Sequence, residues 1–111
     1  MATAAFWQKG EALDYPNSSG SKIAANTIVV VGSHVGVIGG DIENGETGSI
    51  YMGGVWDMPK SGTAAINLGQ AVYWDSSANG ITNVSTSNTL AGYAAAAAGA
   101  DATTIKVKLG G

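Results

Sequence analysis

The sequence predicts a small all-β domain, either an antiparallel β-barrel or a β-sandwich, preceded by a flexible N-terminal arm. The chain has 111 residues, of which 17 are glycine and 2 are proline, and only 12% of them are charged. Frequent glycines between short apolar runs indicate many tight turns and short strands, as in all-β folds. We assign residues 1–10 to the arm and residues 11–111 to a single domain, because this length suits one hydrophobic core.

The clearest local signal is a β-hairpin over residues 69–84. Residues 71–74, Ala-Val-Tyr-Trp, are apolar and aromatic, which is typical of a half-buried strand. The Asn-Gly pair at 79–80 predicts a two-residue type I′ turn, since both central positions of that turn need a positive φ. Side chains alternate along a strand, so we expect one of Tyr73 and Trp74 in the core and the other facing solvent or a partner.

Three strands are predicted within the first 38 residues. Residues 11–15 alternate between polar and apolar and predict a short strand, which the turn residues at 16–21 end. The run Thr-Ile-Val-Val-Val at 27–31 is β-branched throughout. It predicts a strand that is buried on both faces or covered by a partner on its outer face. Residues 34–38 predict the returning strand.

Four further stretches complete the predicted order. Residues 48–58 predict one longer strand, in which a Gly-Gly pair marks a bulge or a sharp bend, as at a barrel corner. Residues 64–69 have room for a single helical turn. For residues 90–99 the five consecutive alanines favour helix by propensity. We nevertheless predict a strand there, because the run is short, lacks capping residues and lies between strands. Residues 103–109 alternate cleanly and predict the closing strand, with its lysines facing outward.

The charge distribution bears on the class of partner. The chain has five lysines and no arginine, and its net charge is −3. Proteins that bind nucleic acid need a basic surface for the phosphates, and arginine is their commonest base-reading residue. We therefore expect no nucleic-acid partner. No apolar run approaches the roughly 20 residues that span a bilayer, and the N-terminus lacks the pattern of a signal peptide, so we expect no membrane partner.

Few residues offer catalytic or metal chemistry, and we predict no enzyme activity, no cofactor and no metal site. There is no cysteine, and the single histidine, His34, lies among valines without a nucleophile motif nearby. The acidic residues at 41–46 cluster in a turn, but their spacing does not match a calcium-binding EF-hand loop. Asp57 and Asp75 each follow a tryptophan. One of them could serve a small hydrolase of the kind that uses paired carboxylates, which is one of three functions we weigh.

The aromatic residues instead suggest contact surfaces. Phe6 and Trp7 lie in the arm, and Trp56 and Trp74 lie in predicted strands. Aromatic residues near a terminus either plug the edge of their own core or pack on a neighbouring chain, for example as an added strand. We take all four as candidate interface residues, with Trp56 and Trp74 equally suited to the core. Exposed tryptophan and tyrosine would also suit a carbohydrate-binding module, which is the alternative function.

Several motifs follow one another in an order that resembles a known family. In chain order they are aromatic-x-x-Gly-x-x-Leu at 6–13, Gly-Val-Ile at 36–38, Gly-Val-Trp-Asp-Met-Pro-Lys at 54–60, Gly-x-x-Val-Tyr-Trp-Asp at 69–75, Leu-Ala-Gly-Tyr-Ala at 90–94 and Ile-Lys-Val-Lys-Leu at 105–109. Together they resemble the small capsid cement, or decoration, proteins of tailed phages. The chain departs from that pattern in its longer segment between Tyr15 and Thr27.

This resemblance implies a compact β-barrel or β-sandwich that binds the outer surface of an assembled capsid and stabilises it, often as a trimer. The expected partners are the major capsid protein and further copies of the chain, as a homotrimer. The expected location is the exterior of the virion, after synthesis in the bacterial host cytoplasm. The family has no catalytic residues to carry over. Phe6 and Trp7 are expected to anchor the arm, while Trp56 and Trp74 serve core, capsid or subunit contacts.

Overall fold

The computed structural model describes residues 2–5 and 11–110, and these ranges form nine β-strands. The strands are β1 (Ala12–Pro16), β2 (Ile28–Val31), β3 (His34–Ile38), β4 (Thr47–Tyr51), β5 (Val55–Pro59), β6 (Ala71–Asp75), β7 (Gly80–Thr82), β8 (Thr89–Ala94) and β9 (Thr104–Leu109). They form two antiparallel sheets, a first sheet in the order β1-β4-β3-β2 and a second in the order β5-β9-β8-β6-β7. The described ranges contain no helix, and the predicted all-β class is confirmed.

The second sheet curls until its two edges approach each other. Lys60, just after β5, forms a parallel bridge with Ile81 in β7, and the Ser61 N–H donates to the Ile81 carbonyl at 2.9 Å. Gly80 permits this approach, because a Cβ added to it would lie 2.7 Å from the Ser61 Cβ. The second sheet is therefore barrel-like in shape, although its two edges are joined by a bridge rather than by a ladder.

Two hydrophobic clusters lie on opposite sides of the first sheet. Val35 and Val37 of β3 point into the larger cluster, to which every strand of the second sheet contributes. Ile38 and Ile50 face the other way and pack with Ile42 in a smaller cluster. Successive side chains of a strand point to opposite faces, so β3 supplies both clusters and joins the two sheets through its valines.

The valine-rich β2 is an edge strand of the first sheet. In the described chain it pairs with β3 alone, from Ile28 opposite Val37 to Val31 opposite His34. Its side chains are half-buried or exposed, and Val30 is 39% exposed. The prediction that this strand is buried on both faces by its own chain is therefore wrong, because the second sheet does not extend over the edge. That a partner covers the outer face of β2 stays a prediction.

Residues 48–58 form two strands in different sheets. β4 ends at Tyr51 and β5 begins at Val55, and the pair Gly53 and Gly54 lies between them. Gly54 has a φ of +90°, a conformation that residues with a side chain rarely adopt. The predicted bend at the glycine pair is confirmed. The predicted single strand is wrong, because the bend carries the chain from the first sheet to the second.

The β6–β7 hairpin is present, but its turn is not of type I′. Asp75 lies opposite Gly80, so the loop consists of residues 76–79. Asn79 has a φ of +52°, whereas Gly80 is not in the positive-φ region. The Asp75 carboxylate accepts hydrogen bonds from two backbone N–H groups of the loop at 3.0 and 3.2 Å. These bonds cap a longer loop than the Asn-Gly pair predicts.

The alanine run is a strand only at its start. β8 ends at Ala94, the next three residues are irregular, and Ala98 forms an antiparallel bridge with Ile66. Ile66 and Ala98 exchange backbone hydrogen bonds of 2.9 and 2.8 Å, so the segment at 64–69 pairs with another segment and makes no helical turn. The closing strand β9 fits its prediction, with three buried apolar residues alternating with outward-facing polar ones.

Candidate contact surface

The four aromatic residues predicted as interface residues occupy different places. Phe6 and Trp7 lie outside the described residues. Trp74 is 8% exposed and packs in the larger cluster. Trp56 is half-buried on the edge strand β5, where its indole N–H donates to the Gly53 carbonyl at 2.8 Å. Trp56 therefore packs against the larger cluster while part of its side chain stays exposed, whereas Trp74 lies within that cluster.

Trp56 forms one wall of an open pocket of about 490 Å³, which we call the aromatic pocket. Its lining residues are Glu11, Tyr51, Gly53, Gly54, Trp56 and Lys108. The rings of Tyr51 and Trp56 have centroids 5.7 Å apart and planes inclined at 39°. The two rings meet because the chain crosses from β4 to β5 through the glycine pair. The pocket thus presents two aromatic side chains of the kind that commonly anchor protein interfaces.

The aromatic pocket lies where the arm joins the domain. The Met52 N–H donates to the Glu11 carbonyl at 2.7 Å, which holds the residue before β1 against the end of β4. Glu11 also lines the pocket, and Phe6 and Trp7 precede it closely in the sequence. Glu11, the first residue after the arm, therefore borders the aromatic pocket.

A second pocket, of about 320 Å³, opens where the two sheets meet. It is lined by Ser33, His34, Val35, Met52, Leu90, Ala91 and Gly110. His34 is exposed at the start of β3. Aliphatic and thioether side chains form much of the remaining lining, which suits an apolar side chain of a partner better than a charged ligand.

The two aspartates that follow tryptophans have structural partners. Asp57 accepts a hydrogen bond from the Lys106 ammonium group at 2.8 Å on the outer side of the second sheet. Asp75 caps the hairpin loop through the two backbone contacts described above. These carboxylates serve the fold as an ion-pair partner and as a loop cap.

The acidic segment at 41–46 is tied into the fold through Asp41. Its carboxylate accepts a hydrogen bond from the Ala25 N–H at 2.8 Å and forms an ion pair with Lys22 at 3.2 Å. The backbone hydrogen bond, followed by the contact with Lys22, lowers the pKa of Asp41 below its ordinary value. In residues 2–5 and 11–110 no group of three or more His, Cys, Asp or Glu side chains is placed to hold a metal ion.

Within the same ranges, no helix is long and apolar enough to cross a membrane.

The sequence did not single out Tyr51 as a contact residue. Strand alternation offered one signal, because Tyr51 follows Ile50 and must face the opposite side of β4. Its meeting with Trp56 depends on the crossing between sheets, which the prediction of a single strand concealed.

Together these features define a small two-sheet β protein whose open pockets are bordered by aromatic and apolar side chains. A family model described as phage cement protein matches residues 7–109 of the 111-residue chain. The match includes every strand described above, and the chain belongs to the phage cement protein family. The family predicted from the motifs is therefore confirmed, and with it a structural role in the phage. No curated protein and no solved structure matches the chain significantly.

Proposed function

We propose that this protein binds the outer surface of an assembled phage capsid and stabilises the shell. The observation that carries the proposal is the family match over residues 7–109. The structure supports it with the aromatic pocket, which Glu11 borders, on a chain in which only 12% of residues are charged. A copy that buries apolar area across the joint between capsid subunits favours the assembled shell, because it binds that state and not the separated subunits.

In this proposal the arm and the aromatic pocket act together. Phe6 and Trp7 anchor the arm on the major capsid protein, and Tyr51 and Trp56 add an aromatic contact beside it. Aromatic side chains bury large apolar areas and dominate many interfaces. The bound form is a homotrimer, so three arms engage one capsid site and each raises the effective concentration of the others.

Quantitative mass spectrometry of density-purified phage particles from the source strain tests the virion location. The expected result is a copy number in a small integer ratio to the major capsid protein. Absence from the particles, with abundant protein free in the lysate, would overturn the proposal. Light scattering on the purified protein measures the proposed homotrimer independently.

Deletion of residues 1–8 tests the arm. The truncated protein should fold as the full chain does and lose binding to capsid shells, because its aromatic anchors are gone. The double substitution Phe6→Ala and Trp7→Ala in the full chain should have the same effect, while Gln8→Ala should bind normally. Full-strength binding by the truncated protein would remove the arm from the mechanism.

The aromatic pocket also favours a second candidate, a carbohydrate-binding module, since sugar rings stack on exposed aromatic faces. Binding on a glycan array that is lost in Trp56→Ala and kept in Tyr73→Ala would support it. Trp74→Ala is unsuitable for this purpose, because Trp74 lies in the core and its loss would disturb packing.

A further inference from the structure

The edge strand β2 presents unpaired backbone groups on its outer side. The Ile38 N–H donates to the Thr27 carbonyl at 2.9 Å, so the backbone groups of Thr27 point toward β3. Backbone groups alternate between the two sides of a strand, so those of Ile28 and Val30 point away from β3. In residues 2–5 and 11–110, no strand pairs with them on that side. β2 can therefore accept a further strand.

The opposite edge of the first sheet, β1, is protected against a further strand. The Asn17 N–H donates to the Glu46 carbonyl at 2.8 Å, so Asn17 faces β4, whereas the backbone groups of Asp14 and Pro16 face outward. Proline has no N–H to donate to an incoming strand, and charged side chains also discourage pairing at sheet edges. β2 differs from β1 in having neither a proline nor a charged residue.

The edges of the second sheet are protected or joined. The Lys60 N–H donates to the Thr103 carbonyl at 2.9 Å, so the backbone groups of Asp57 and Pro59 in β5 face outward. The other edge strand, β7, has three residues and is bridged to Lys60 through Ile81. Both prolines of the chain thus lie at outward positions of edge strands. Within the described residues, β2 is the edge without such protection.

Both hydrophobic clusters extend to β2 and end there. Ile28 packs against the larger cluster, whereas Val29 and Val31 pack against the smaller one. Val30 lies opposite the buried Val35 and is 39% exposed. A strand added beside β2 would cover side chains on both of its faces and extend both clusters. Because every residue of β2 is aliphatic, the strand that fits beside it is aliphatic and uncharged as well.

A second copy of the chain supplies such a strand in β2 itself, the unprotected edge of its described part. Asn26 and Gly32 have φ values of +68° and +61°, so the extended segment lies between them. A two-fold axis at Val29 centres the pairing on this segment and places Ile28 opposite Val30 of the second copy. Each such pair exchanges both of its backbone hydrogen bonds. In this register every outward N–H and carbonyl of β2 has a partner, and no like charges meet.

We infer that two copies of this protein associate through their β2 strands, antiparallel about a two-fold axis at Val29. The first sheets of the two copies then form one continuous sheet. This contact goes beyond the proposed function and does not require the capsid. A two-fold contact does not close a ring of three, so in the proposed bound form it joins copies that belong to adjacent trimers.

Disulfide trapping tests the contact and its register, because the chain contains no cysteine. The Val29 Cα atoms of the two copies form a non-hydrogen-bonded pair about 4.5 Å apart, a distance that a disulfide bridges. With glutathione disulfide as oxidant, Val29→Cys should form linked dimers about tenfold or more faster than the exposed Val84→Cys. Val30→Cys is the register control and should be trapped more slowly, because the two Val30 residues are diagonal neighbours about 7–8 Å apart.

A pair of proline variants in the Val29→Cys chain tests the role of the edge. Val30→Pro removes an outward N–H and leaves the hydrogen bonds between β2 and β3 in place, so trapping should slow about tenfold. Ala12→Pro is the matched control, because it removes an outward N–H from β1. It should leave the trapping rate within about twofold. Circular dichroism and thermal unfolding establish that each variant is folded.

The outcomes separate this contact from the proposed function. Trapping of folded Val29→Cys no faster than that of Val84→Cys would overturn the contact and leave capsid binding intact. Unchanged trapping in Val30→Pro would overturn it too, because the dimer would not depend on the edge. Loss of shell binding by Val30→Pro without self-trapping of Val29→Cys would assign β2 to the capsid instead. Failure of the unmodified protein to bind shells would overturn the proposed function and leave the β2 contact standing.

Discussion

The outer sides of the two sheets differ in what covers them. On the first sheet, Ile38 and Ile50 point outward, but Ile42 and Ile23 from the connecting segments pack over them. On the second sheet, Val55 and Tyr93 point outward and stay exposed. Both sheets consist of short antiparallel strands with apolar residues, so the difference arises in the connections between strands and not in the strands themselves.

A buried amide organises the cover of the first sheet. Asn17 is 2% exposed, and its Nδ2 donates to the carbonyls of Ser21 and Ile42 at 2.8 and 2.9 Å. Its Oδ1 accepts hydrogen bonds from the backbone N–H and the hydroxyl of Ser19. These contacts hold the β1–β2 connection against the β3–β4 connection. The difference between the faces teaches that connections joined by a satisfied polar centre make a second core over the first sheet, whereas connections of similar length in the second sheet bring Ile66 and Ala98 to the larger cluster instead.

Gly92→Ala should have the largest effect, because Gly92 lies beside the register shift of β8 in the middle of the second sheet. Gly92 has a φ of +153°, and an added Cβ would collide with the Lys108 carbonyl oxygen in β9. We expect the free energy of unfolding to fall by about 3 kcal/mol or more, since the backbone of both strands must shift. Urea denaturation measures the change.

Gly99→Ala is the matched control for this substitution. Gly99 has no positive φ, and an added Cβ there meets no atom of the described chain within 4 Å. Its stability should stay within about 0.5 kcal/mol of the unmodified protein. If Gly92→Ala were equally harmless, the positive φ of Gly92 and its close contact with β9 would not constrain the second sheet.

Asn17→Ala should have an intermediate effect, because it removes the centre of the covered side. The four hydrogen bonds of the buried amide are lost, although the Ser21 and Ile42 carbonyls each keep one other donor, so we expect a loss of about 2 kcal/mol in the free energy of unfolding. Asn44→Ala is the control, since the Asn44 side chain makes a single, exposed hydrogen bond with the Gly20 N–H in the same region. Equal losses for the two variants would contradict a special role of the buried amide.

The same pair of asparagine variants sharpens the comparison of the two sides. Folded Asn17→Ala protein should bind capsid shells as the unmodified protein does, because Asn17 lies outside the aromatic pocket. Cosedimentation under conditions where the variant stays folded measures this. A loss of binding would place the capsid contact on the covered side.

Asp41→Asn should have the smallest effect, and one that depends on pH. The pKa of Asp41 in the folded protein is lowered by the Ala25 N–H and by Lys22, both in the β1–β2 connection. The Asp41 carboxylate therefore contributes to the free energy of unfolding above about pH 4, its pKa in the unfolded chain. This contribution is lost as the pH falls through the lower pKa of the folded protein. The melting temperature of the unmodified protein should exceed that of Asp41→Asn slightly at pH 7. A difference that persists unchanged into strong acid would show that the carboxylate charge is not its source.

The strands themselves were largely predictable because their signals are local. Clean alternation identified β9, and the apolar run at 34–38 identified β3. The local sequence did not distinguish Trp56 from Trp74, since each follows an apolar or aromatic residue in a strand and precedes an aspartate. Trp74 lies within the larger cluster, whereas Trp56 lies beside the glycine bend at the start of β5, where it packs against that cluster and stays half-buried.

By itself the sequence determined that this chain is an all-β protein with a cement-protein pattern of motifs, since strand periodicity, turn residues and motif order are properties of neighbouring residues. Only the tertiary structure decided that β4 and β5 belong to different sheets. It also decided where the register of β8 shifts, and that the outer side of the first sheet is covered while Val55 and Tyr93 on the outer side of the second stay exposed. These features depend on contacts between residues far apart in the chain, which the local pattern does not encode.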